Sequence, residues 1–90
     1  MPPKAPHEVD LHGLRPEDAL RRLAQALHTG RVRGATEVLV ITGRGAGNHA
    51  QKPVLRTRVE AWLLGQDGKR LGVRGFSRTA QGGALLVQLG

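Results

Sequence analysis

Residues 37–48 read Glu-Val-Leu-Val-Ile-Thr-Gly-Arg-Gly-Ala-Gly-Asn. Val38-Leu39-Val40-Ile41 are four consecutive apolar residues of β type, the pattern of a strand buried on both faces. Gly43, Gly45 and Gly47 then make a glycine-rich loop. Pro53 opens a helix whose apolar stripe is Leu55, Val59, Trp62 and Leu63. A buried strand, a loop and an amphipathic helix in that order are the unit of an α/β sheet.

On the N-terminal side, residues 8–12 alternate, with Val9 and Leu11 on one face and Asp10 and His12 on the other. This predicts a short strand. Gly13 and Pro16 mark the turn out of it, and Glu17 and Asp18 suit the positive end of a helix. Leu20, Leu23, Ala24 and Leu27 supply that helix's stripe, and the pair Thr29-Gly30 predicts its end. Residues 1–7, polar and proline-rich, read as a disordered tail, which leaves 8–90 as the folded domain.

On the C-terminal side, residues 65–68 end the second helix and residues 71–76 form a third strand. A seven-residue connection, 77–83, leads to a fourth strand at 84–89. The order is β-α-β-α-β-β. It predicts a two-layer α/β sandwich with a four-stranded mixed sheet and two helices. Strands one to three, joined by helical crossovers, should run parallel, and the short-looped last pair antiparallel.

Charge narrows the function. Fourteen Lys and Arg face seven Asp and Glu, a net charge of +7, and eleven of the fourteen are arginine. The planar guanidinium suits bidentate phosphate contacts, so the balance favours a nucleic acid, DNA or RNA. Genome-wide arginine usage is the plainer alternative. Phe76 and Trp62 are the only aromatics, so no stacking platform for bases exists and contacts should go to backbone and shape. With no cysteine and no long apolar run, the chain is expected to be cytoplasmic, with no membrane partner.

Parallel strands put their C-terminal ends on one edge, where ligands of open α/β sheets bind. That edge should carry Asp10 and His12, the loop from Thr42 to Gly47, Lys52 at the second helix, and Arg78 after the third strand. Arg31, Arg33, Lys69 and Arg70 belong to the opposite edge. Asp10 and His12 can act as an acid–base pair on a phosphodiester, with Arg44 or loop amides stabilising the transition state. The plainer alternative is an aspartate that caps the turn with a histidine packed beneath it. The loop by itself fits a structural turn as well as a phosphate cradle, and it lacks P-loop spacing. Lys52 and Arg56, cations near a helix start, tilt it toward an anion. His7, His28 and His49 carry no such pattern, and no His and carboxylate set has metal-site spacing. No cofactor is fixed by the residues, although Asp10 leaves room for a hydrated Mg²⁺ or Mn²⁺.

Val9-Asp10-Leu11-His12-Gly13-Leu14 resembles the D-L-H-G-L signature of the Smr (small MutS-related) domain. Ile41-Thr42-Gly43-Arg44-Gly45 resembles that family's second motif, and residues 81–87 resemble its glycine-led closing strand. The resemblance spans roughly residues 8–89. It implies the fold order above and endonuclease activity: nicking of DNA, or cleavage of RNA including messenger on stalled ribosomes. It also implies Asp10 and His12 as the catalytic pair, with Thr42, Gly43, Arg44 and Gly45 holding the phosphate. The shared sheet edge adds Gly47, Lys52 and Arg78 to the expected phosphate contacts. The leading expectation is therefore an endonuclease of little sequence specificity. The alternative is a non-catalytic module that binds structured nucleic acid or the ribosome.

Overall fold

The computed structural model describes residues 7–43, 54–79 and 83–90. Strand β1 covers His7–Asp10, helix α1 Pro16–Val32, β2 Glu37–Ile41, α2 Val54–Leu64, α3 Gln66–Arg70, β3 Val73–Arg78 and β4 Ala84–Leu89. The expected order holds, with one correction. A third helix, α3, occupies the segment where the sequence pattern predicts only a helix end before a strand. His7, assigned to the tail by sequence, belongs to β1. No described helix is long and apolar enough to cross a membrane.

The sheet order is β1-β2-β4-β3. β1 and β2 are parallel; β4 runs antiparallel to both β2 and β3. Inserting the antiparallel strand between β2 and β3 leaves β1, β2 and β3 pointing the same way. Their C-terminal ends therefore share one rim.

Packing explains why this rim is fixed. Val9, Val38, Val40, Leu85 and Val87 are buried on one face of the sheet, against Leu23, Leu27, Val59 and Leu63 of the helices. The expectation that β2 is buried on both faces is corrected here. Val38 and Val40 are fully covered, whereas Leu39 and Ile41 lie on the second face and are only half-buried. Two layers cover one side of a sheet, and neighbouring strands shield the other side in part.

Helix α1 begins as expected, with Arg15 extended at its N-cap, Pro16 in the first turn, and Glu17 and Asp18 behind it. Its end lies later than Thr29-Gly30. Gly30 is buried inside the helix because α1 passes so close to β2 that a Cβ there would meet Val38 Cγ2 at 3.3 Å. Gly34 supplies the stop, at φ +79. Its amide donates to Arg31 O (3.0 Å), and the Ala35 amide donates to Gly30 O (2.8 Å). That pair of bonds is the Schellman arrangement.

Candidate active site

Leaving β1, the chain keeps its alternation for two more residues. The Leu11 amide donates to Ile41 O (2.7 Å), which ties it to β2, and its side chain is fully buried. Asp10 and His12, on either side of it, therefore face solvent; their side chains are 50% and 67% exposed. Gly13, at φ +78, turns the backbone toward α1.

Asp10 Oδ1 accepts two hydrogen bonds from His12, one from the backbone amide (3.0 Å) and one from imidazole Nδ1 (2.5 Å). These two bonds, the side-chain one first, hold the Asp10 carboxyl below its ordinary range. With Asp10 ionised, Nδ1 is the donor of that bond, and in the neutral ring the lone pair then sits on Nε2. Half of the plainer sequence reading is thus correct, since Asp10 does cap the turn. The other half is not: His12 stands exposed rather than packed beneath.

The end of β2 runs alongside this pair. Gly43 has φ +82, and a Cβ on it would sit 3.2 Å from His12 Cβ. Glycine serves twice here, for the left-handed backbone and for the close approach. The Thr42 and Gly43 amides both donate to Gly83 O (3.1 and 3.0 Å). Thr42 is buried, its hydroxyl directed to Gly43 O at 3.4 Å. These two residues are tied to Gly83 at the entry to β4, and their amides are committed within the fold. Arg44, Gly45, Gly47 and Lys52 lie outside the described residues, as does His49.

Arg78 shares the rim but not the cluster. Three strand spacings, roughly 14 Å, separate β3 from β1. Its guanidinium forms a bidentate pair with Glu60 of α2, Nε to Oε2 at 2.7 Å and Nη2 to Oε1 at 2.8 Å. Glu60, only 14% exposed, is held below the ordinary glutamate range by those hydrogen bonds. A lowered folded value means the pair's stabilisation is complete above the ordinary glutamate range. It is lost as the pH falls through the lowered value. Glu60→Gln should therefore cost about 1 kcal/mol at neutral pH, with Arg78 exposed and the pair partly screened. The cost should vanish in acid. Urea midpoints at both pH values check this, and an equal deficit at both would contradict it.

One contributor went unnoticed in the sequence. Arg22 of α1 acts electrostatically on Asp10, reinforcing its ionised form. It lines a shallow groove with His7, Glu8, Val9 and Gln25, between β1 and α1. Its position next to Leu23 of the buried stripe was the available signal. Among the described residues, no group of three or more His, Asp or Glu side chains converges to hold a metal ion.

The family model described as the Smr domain matches residues 9–90. Three solved structures are similar. The Smr domain of Thermus thermophilus MutS2 is 29% identical, with a TM-score of 0.71, covering 93% of this chain and 98% of its own. The B3BP Smr domain is 31% identical at a TM-score of 0.67, covering 93% and 78%. The SMR domain of NEDD4-binding protein 2 is 26% identical at 0.69, covering 100% and 92%. No curated protein matches the chain.

Proposed function

The chain belongs to the Smr domain family, and from that premise we propose that it is an endonuclease of little sequence specificity, with Asp10 and His12 as its catalytic pair. Smr domains bind nucleic acids, and some nick them. The observation that carries the catalytic reading is the exposed Asp10–His12 pair set against the glycine exit of β2. Gly43 meets His12 at the histidine Cβ, so a phosphate held at that exit would lie beside the pair.

In this reading, Nε2 takes the proton from the attacking oxygen as the new P–O bond forms. The imidazolium then returns the proton to the departing oxygen as the old P–O bond breaks. Ionised Asp10 steadies the charge that His12 carries between those steps. The attacking oxygen is water on DNA. On RNA it is water or the neighbouring 2′-hydroxyl. Negative charge gathers on the phosphoryl oxygens, and Arg44, at the loop position that matches the family motif, is assigned to it, together with Gly45, Gly47 and Lys52. Arg78 is already held by Glu60, so its contribution is to anchor α2 against β3 beside the rim.

The test is incubation of the protein with end-labelled single- and double-stranded DNA and RNA, each with Mg²⁺, Mn²⁺ or EDTA. Internal cleavage at scattered positions is expected. A 2′,3′-cyclic phosphate end in EDTA would mark the 2′-hydroxyl route, and cleavage only with Mg²⁺ or Mn²⁺ would mark a metal-bound water. Intact substrates under every condition, with salt-dependent binding retained, would replace the nuclease with a binding module.

A further inference from the structure

The end of the sheet opposite the catalytic pair carries five exposed cations from three elements: Arg31 and Arg33 at the end of α1, Lys69 and Arg70 of α3, and Arg74 of β3. The fold draws them together. The Gly90 amide donates to Gly72 O (2.9 Å) and the Leu89 amide to Thr36 O (2.8 Å), which locks three chain segments into one surface. Arg31 lies over Gly72, its Nε 3.1 Å from where a Cβ would be, so the end of α1 reaches the turn that follows Lys69 and Arg70. Arg74 is folded across Gly90.

None of the five has an ion pair among the described residues. The acids within this region are Asp67, exposed on α3, and Glu37, which shares a shallow cleft with Arg74, Thr36 and Gln88. Helix dipoles account for a cation at the end of α1 and of α3. They do not account for two such ends meeting, with Arg33 and Arg74 added. Like charges gathered without acid partners repel, unless an anion lies across them.

We propose that this pole is a second nucleic-acid contact, a non-catalytic surface that grips phosphate backbone away from the scissile bond. Helix α1, with 17 residues, sets the pole about 25 Å from the pair at its other end. One site cannot serve both. Four of the five cations are arginines, whose forks match phosphodiester oxygens. The exposed apolar residue among them is Val32 alone, too little to insert into a lipid surface. The proposal shares with the nuclease reading only the class of partner, and does not require cleavage.

The experiment measures anisotropy of a labelled duplex long enough to reach both poles, titrated with protein carrying His12→Ala to keep the duplex intact, over a range of KCl. Each phosphate contact contributes about 0.9 to the slope of log affinity against log salt. Arg31→Glu with Arg70→Glu should lower the slope by about 2 and weaken binding about tenfold or more at moderate salt. Arg31→Gln with Arg70→Gln should do so in the same direction by less. Arg21→Glu with Arg58→Glu alters net charge equally elsewhere on the surface and should cost clearly less. Equal losses for the two reversals would reduce the effect to net charge and overturn the proposal, as would no loss. So would anionic phospholipid vesicles released by the pole variant while its duplex affinity stayed intact. In protein that retains His12, the pole reversal should raise the KM for cleavage and leave kcat unchanged. If the parent protein cleaves nothing, the nuclease reading fails and the anisotropy still decides the pole.

Discussion

His12→Ala is expected to lower the rate of backbone cleavage by at least about a thousandfold, within the range that a positioned general acid–base commonly contributes. Folding should hardly change. The His12 side chain is 67% exposed and, among the described residues, its side-chain bond is to a half-exposed carboxylate, so no core contact is removed. Affinity for an uncut nucleic acid should also persist, because the substitution leaves every arginine in place. Asp10→Asn should fall nearly as far by another route. An amide in place of the carboxylate can donate to Nδ1, which moves the ring proton to Nε2 and removes the base. The two changes act on one unit, so the double variant should be hardly slower than His12→Ala. Single-turnover cleavage beside a circular-dichroism melt reads all of this. Cleavage by His12→Ala at the parent rate would move the chemistry elsewhere on the surface.

Where the sequence was readable, one physical pattern dominated locally. The alternation through Val9 and Leu11 placed Asp10 and His12 on the solvent side, and the structure keeps them there beyond the last strand residue. Elsewhere, tertiary contacts decided. Gly30 looks like a helix terminator, yet it lies inside α1, where a Cβ would meet Val38 Cγ2 at 3.3 Å. The run Val38-Leu39-Val40-Ile41 looks doubly buried, yet only alternate residues are covered, since apolarity does not count layers. The position of β4 between β2 and β3 follows from pairing across the sheet, for which local periodicity holds no signal. The Arg78–Glu60 pair joins residues 18 positions apart and depends on α2 lying over β3.

Helix α3 was hidden by its own glycine, and that glycine gives the largest expected stability effect. Gln66-Asp67-Gly68-Lys69-Arg70 reads as a turn, because glycine is among the poorest helix formers. The structure uses Gly68 for its missing side chain. It is buried, and a Cβ on it would lie 2.0 Å from Leu63 O and 2.7 Å from Leu63 C, the backbone of α2 rather than a movable side chain. No rotamer relieves that collision. Gly68→Ala must push α3 away from α2 and disturb Leu63, a fully packed core residue. A loss of about 3 kcal/mol is expected, which for a domain of this size lowers Tm by roughly 12 °C or more. Gly75→Ala is the matched control. Its Cβ would meet only Gln88 Oε1, at 3.8 Å, and alanine is the better strand residue, so Tm should hold or rise slightly. Because β1 and the end of β2 build the Asp10–His12 pair without α3, cleavage per folded molecule should survive in Gly68→Ala below its melting range. A Gly68→Ala melt within two degrees of the parent, roughly half a kcal/mol, would mean that α2 and α3 do not meet as closely as this packing requires.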